Sequence, residues 1–218
     1  MPKRSAEWTG GWVASKLEEH DKVERIEQIA PQVLRVIRKE EGAFLVATIA
    51  ATRVEPSVIE SLLTEREKIK FIVNVPADSM WSGAAIELAE AYGAAFGGLR
   101  DLMSAMSEPD IGSFVRKEFR FVERGLRQHT RVYDLERIHD RKYVVKRRDL
   151  PDMRVVLINE YDLTSDHVRT ARDRYGQFKA ILITNPNGRI TSSAEEVLAS
   201  MGAKAFKWGE FLGRLNRR

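Results

Sequence analysis

The chain contains no cysteine, so it has no disulfide framework, no thiolate metal site and no cysteine nucleophile. Its four histidines, His20, His129, His139 and His167, stand in no H-x-H or HExxH spacing. Any bound metal is therefore expected to be a hard, oxygen-loving cation such as magnesium. Long apolar runs are missing too. No stretch approaches the roughly 18 to 20 residues that cross a bilayer, and the opening MPKRSAEWTGGW has no hydrophobic segment of the signal-peptide kind. A cytoplasmic protein without a membrane partner is expected. Neither a P-loop GxxxxGK[ST] nor a dinucleotide GxGxxG is present.

What the chain does have is enough apolar residue, 43% of 218, to bury one larger core or two smaller ones. Its charge is divided unevenly. Residues 1–110 carry 13 Lys+Arg against 18 Asp+Glu, a net of −5, whereas residues 111–218 carry 23 against 14, a net of +9. A basic half of that size suggests one face directed at a polyanion. A division into units 1–110 and 111–218 follows.

Apolar runs at Ala43–Ala51, Lys70–Val75, Arg154–Tyr161 and around Ile181 read as buried strands. Helices are expected over residues 22–40, broken near Pro31, then from Val58 to about Arg66, Ser82–Tyr92, Leu99–Met106, Gly112–Gln128 and 165–175, with a closing helix from Glu210. The residues ahead of 22 read as a loose polar start. Two short strands, Val132–Leu135 and Lys142–Lys146, are joined through IHDR. Ser57 with Glu60, and Ser192 with Glu195, have capping-box spacing. The turn Asn185-Pro186-Asn187-Gly188 reads as a strand-to-helix crossover with Gly188 as the permissive residue; a phosphate cradle is the competing reading.

At an offset of 110, Pro76, Ser82, Ala84, Leu88 and Ala89 match Pro186, Ser192, Ala194, Leu198 and Ala199, which suggests an internal duplication. Alternating strands and helices with capped crossovers then predict an α/β fold, a mostly parallel sheet flanked by helices.

In the second half, AILITNPNGRIT leads into Ala194, Ala199, Gly202, Phe206 and Leu212. With the order of elements around it, this stretch resembles the nuclease domain of Mrr-type restriction enzymes, in the restriction-endonuclease-like superfamily, over about residues 112–216. The resemblance implies an acidic residue on one strand and an [E/Q]-x-K set on the next, holding magnesium and a water beside a scissile phosphate. Carried onto this chain, it makes Asp134 the acid and Lys146 the lysine, with Glu160 or Asp162 as further catalytic residues and Asp134 and Glu160 as metal ligands. The pattern is incomplete. Val144 stands where a ligand belongs if residues 143–148 are the catalytic strand, and Asn159 stands near the lysine's place if residues 154–162 are.

Independently of that resemblance, Arg116, Arg120, Arg124, Arg127 and Arg131 recur every three or four residues, a guanidinium row along one helix face. Arg141, Lys142, Lys146, Arg147 and Arg148 form a second basic cluster. Guanidinium forks suit phosphate, so both groups are candidate nucleic-acid contacts; the competing reading is a solvated face paired with Glu118, Glu123 and Asp134. Trp8, Trp12, Trp81 and Trp208 fall outside the row and read as packing residues.

Three functions fit these observations. The first is a DNA-binding protein derived from such a nuclease and catalytically degenerate. The second is an active magnesium-dependent phosphodiesterase, and the third a non-catalytic scaffold that forms a homodimer.

Overall fold

The computed structural model describes residues 6–63 and 68–217. The chain forms two compact units, Met1–Arg116 and Lys117–Arg218. In the first, helix α1 (Ala6–Leu17) precedes three strands, β1 (Val23–Ala30), β2 (Val33–Arg38) and β3 (Gly42–Ile49). Then come β4 (Arg53–Val54), α2 (Pro56–Ile59), β5 (Ile69–Asn74), β6 (Met80–Trp81), α3 (Gly83–Ala91), β7 (Ala95–Gly97) and α4 (Leu99–Ala105). The main sheet has the order β1-β2-β3-β5-β7. Only β3-β5 and β5-β7 are parallel; β1-β2 and β2-β3 are antiparallel. The sheet is thus mixed, not mostly parallel as expected. Connections of two or three residues can only turn a strand back on its neighbour, while the helical crossovers permit parallel pairing.

Both faces of this sheet are covered. Val13 and Leu17 of α1 and Leu102 of α4 pack with Leu34, Val36, Val46, Phe71 and Val73 on one side. Ile59 of α2 and Ile86 and Ala89 of α3 pack with Val33, Ala47, Ile49 and Ile72 on the other. Two-sided burial is why β3 and β5 read as continuous apolar runs.

The second unit contains α5 (Lys117–Arg127), β8 (Val132–His139), β9 (Lys142–Arg147), β10 (Met153–Ile158), β11 (Asp162–Leu163) and α6 (Ser165–Tyr175). It continues with β12 (Ala180–Ile183), β13 (Arg189–Ile190), α7 (Ser192–Ser200), β14 (Lys204–Phe206) and α8 (Trp208–Leu215), and its sheet has the order β8-β9-β10-β12-β14. Element for element this is the order of the first unit, and individual hydrogen bonds recur 109 positions apart. The Nδ1 of His20 accepts from the Lys22 amide at 3.3 Å, and that of His129 from the Arg131 amide at 3.2 Å. Ser82 caps α3 and donates to the Val54 carbonyl; Thr191 caps α7 and donates to the Leu163 carbonyl. Gly93 and Gly202 both end helices with positive φ, 69° and 62°.

These recurrences stand 109 positions apart, whereas the sequence match lies at an offset of 110. A one-residue slip moves a strand's side chains to the opposite face, but in strands buried on both faces it leaves the apolar pattern unchanged. The cap of α7 is accordingly Thr191 rather than Ser192. Likewise α2 has Glu55 at its N-cap with no side-chain cap, and a 3-10 turn over Glu60–Leu62 follows it. The remainder of the helix expected to reach Arg66 lies outside the described residues.

Two readings of the first forty residues are reversed. The supposed loose start is α1, with Thr9, Gly10, Val13 and Leu17 buried. The supposed helix over 22–40 is the β1-β2 hairpin, with Pro31 at its turn. Register shifts between Val23 and Arg25 and between Gln28 and Ala30 break the two-residue alternation of β1, so that Val23, Ile26 and Ile29 mimic helical spacing. Gly188 also has a different role from the one expected. Its φ is not positive, and it is needed because a Cβ there would stand 2.4 Å from Ile183 and 3.0 Å from two carbonyl oxygens.

Candidate functional site

Asp134 on β8 and Lys146 on β9 are register partners, joined by an ion pair of 2.9 Å, and Glu136 lies 3.5 Å from the same ammonium. The hydrogen bond from Lys146, then that from the Leu135 amide, holds the Asp134 carboxyl below its ordinary range; Asp134 in turn raises the Lys146 ammonium. Glu160 is elsewhere. Val145, next to Lys146, pairs with Met153 at the start of β10, while Glu160 lies beyond the far end of that strand. At about 3.3 Å per residue the separation exceeds roughly 20 Å. Asp162, on β11, lies 3.6 Å from Arg189. The expected acid, lysine and second carboxylate thus do not share one pocket. Among the described residues no group of three His, Asp or Glu is placed to hold a metal ion. The residues do not fit the magnesium site that the resemblance implies.

The cross-strand pair has a pH signature. Asp134, with its folded pKa lowered, contributes stability present above the ordinary value of 3.8 and lost as pH falls through the folded value. Lys146, with its folded pKa raised, contributes stability present below 10.5 and lost as pH rises through the folded value. Asp134→Asn is expected to lower the urea midpoint slightly between those limits and to match the parent chain in strong acid. A deficit that persists there means the loss is not ionic.

The thirteen residues named from sequence separate by environment. Arg116 forks onto the Asp101 carboxylate in the first unit. Arg141 forks onto Glu118 at 2.9 and 3.0 Å. Lys142 is buried with its ammonium donating to the Tyr175 carbonyl, and burial pushes its pKa down. Arg147 is 5% exposed and donates to the carbonyls of Pro151, Leu215 and Arg217. These four serve the fold and are withdrawn as phosphate contacts. Arg120, Arg124, Arg127, Arg131 and Arg148 are exposed. Of these five, Arg131 has a carboxylate 3.8 Å away, Asp149; among the described residues the other four form no ion pair.

Sequence reasoning missed a network under α5. Glu118 holds Arg141 and accepts from the Thr184 hydroxyl, and Arg141 also reaches the Leu157 carbonyl at 3.5 Å. Glu123 accepts from the Tyr143 hydroxyl at 2.7 Å and pairs with Arg137 at 3.3 Å. The Arg137 guanidinium lies 4.6 Å from the Phe119 ring centroid, and burial raises the Tyr143 phenol. Local spacing assigned Glu118 and Glu123 to the arginines of their own helix, whereas their partners come from the β8-β9 hairpin. That frees Arg120 and Arg124 from those two carboxylates, while Arg127 is near enough to Asp134 to help hold its carboxyl down.

With Phe119, Val122 and Leu126 buried, α5 turns Arg120, Arg124 and Arg127 to solvent on one flank and Phe121, Gly125 and Gln128 on the other. On that second flank lies an open groove of about 490 Å³, lined by Phe121, Arg124, Gly125, Gln128, His129 and Trp208. Phe121 and Trp208 are tilted against each other with centroids 4.8 Å apart. A Cβ on Gly125 would stand 2.4 Å from the indole, so glycine is what lets α8 bring Trp208 onto α5. Comparisons with protein-family models, with curated proteins and with solved structures find no match to this chain.

Proposed function

We propose that this chain is a nucleic-acid-binding protein, with the exposed flank of α5 as its phosphate-contacting surface. The observation that carries this reading is the contrast between the two units. At the positions of Arg120, Arg124 and Arg127, 109 residues earlier, the first unit has Gly11 and Ser15 on α1 and Glu18 just past its end, and folds into the same order of strands. The fold does not require guanidiniums there. Exposed and without ion pairs, they are the charges available to a polyanion.

The order of elements in the second unit also supports descent from a restriction-endonuclease-like nuclease, and the recurrence of hydrogen bonds at one offset supports descent of both units from a doubled ancestor. Asp134 tied to Lys146, with Glu160 at the other end of β10, favours a degenerate nuclease over a working one.

The test is binding to a labelled oligonucleotide by anisotropy across a salt series. Affinity falls log-linearly with salt, because phosphate neutralisation releases counterions. The triple variant R120E/R124E/R127E is expected to lose roughly 100-fold or more at about 50 mM salt and to flatten the salt dependence. Binding that ignores both salt and the triple variant overturns the proposal.

A further inference from the structure

The groove beside the arginines has a chemistry that phosphate contact leaves unused. Phe121 is 58% exposed, although a ring of that size on a helix surface ordinarily finds cover. It stands on the lip of an aromatic pair whose other member, Trp208, is seated on the bare backbone of Gly125. Around the pair are one guanidinium, Arg124, one carboxamide, Gln128, and one imidazole, His129. The carboxylates of α5 do not oppose an anion here, since Glu118 and Glu123 are drawn under the helix to Arg141 and Arg137. Arg120 and Arg127 lie roughly one turn to either side of Arg124, about 6 Å and about 4.5 Å along the axis.

Resting on the nucleic-acid reading above, we propose that the groove is a subsite for an unpaired nucleobase, so that the protein prefers single-stranded to duplex nucleic acid. Aromatic faces hold any base by stacking, guanidiniums beside them follow the backbone, and a carboxamide can meet a base edge. The bases of a duplex are already stacked on each other and present no free face to Phe121. Sequence preference is weak, because stacking tolerates every base. The first unit is built differently: Trp12, at the position of Phe121, stacks on Trp8 of its own helix with centroids 6.3 Å apart, while Leu99 stands at the position of Trp208 and Glu19 at that of Gln128.

The test titrates the full chain with an oligothymidine and with a duplex of equal length, following tryptophan emission and anisotropy together. The single strand is expected to quench emission, and W208F to abolish most of that quenching. F121A is expected to weaken single-strand binding roughly 5- to 100-fold while leaving the duplex affinity within about twofold. Circular dichroism and the urea midpoint of F121A establish that the variant is folded, and F121Y restores binding. Equal affinity for both forms, or equal loss of both in F121A, or quenching that survives W208F, overturns the subsite while leaving phosphate binding intact. Failure to bind either form removes both readings.

Discussion

Replacing Arg147 with methionine is expected to lower the stability of the second unit by about 3 to 5 kcal/mol, since hydrogen bonds to a charged donor contribute about 1.5 to 3 kcal/mol each and buried carbonyls left without a donor add their desolvation cost. The Arg147 side chain is a clamp. Its Nε and Nη2 donate to the Pro151 carbonyl at 2.9 and 2.6 Å, and its Nη1 to the carbonyls of Leu215 and Arg217 at 3.3 and 2.8 Å. Leu215 is the last residue of α8, where helix carbonyls have no partner within the helix, and Arg217 follows it, its carbonyl accepting from Arg214 as well at 2.9 Å. Burial pushes the guanidinium's pKa down, and the charge of Arg214 adds to that. The first unit contains a related clamp: Arg38 donates to the carbonyls of Met106 and Glu108 at 3.4 and 2.9 Å, past the end of α4, and is held in addition by the carboxylate and carbonyl of Glu41. Arg38→Met is therefore expected to cost a similar amount in that unit. Urea unfolding followed by circular dichroism measures both, and a loss below about 1 kcal/mol in either variant contradicts the clamp.

The second large effect concerns the ion pair under α5. Glu118→Ala is expected to destabilise the second unit by about 3 to 5 kcal/mol, because it strands a guanidinium whose side chain is 22% exposed and takes an acceptor from the Thr184 hydroxyl. Breaking such a pair costs more than replacing it. The first unit shows what a replacement looks like: Thr9 and Gln32 occupy the places of Glu118 and Arg141, and the Gln32 amide reaches the Thr48 carbonyl at 3.3 Å. The double variant E118T/R141Q is thus expected to recover at least half of the loss. Full additivity of E118T and R141Q in the double-mutant cycle would mean that the two side chains do not interact.

The same comparison explains how much of the fold was legible beforehand. The helix Ser165–Tyr175 was read to the residue, since Thr164 and the run after it combine a cap, helical spacing and a terminal glycine. The strands β3, β5 and β10 were legible to within three residues at either end as apolar runs. The hairpin at 23–38 was not, because its bulges shift the alternation toward a helical period and its pairing is non-local. The candidate site was legible in composition and opaque in geometry. Arg120, Arg124 and Arg127 share a flank as their spacing implied, but nothing in their neighbourhood along the chain showed that Glu118 and Glu123 turn away to Arg141 and Arg137.

Trp208 illustrates the same limit. It lies more than eighty positions from Phe121 in sequence, and only the packing of α8 on Gly125 makes the two rings one surface. By itself, then, the sequence determined the alternation of helices and strands, the covering of each sheet on both faces and the concentration of positive charge in the second half. Those properties are local or additive. Which charges are free, which are spent on carbonyls and carboxylates, and where aromatic and guanidinium groups meet was decided by tertiary structure, because each depends on partners brought together across many residues of chain.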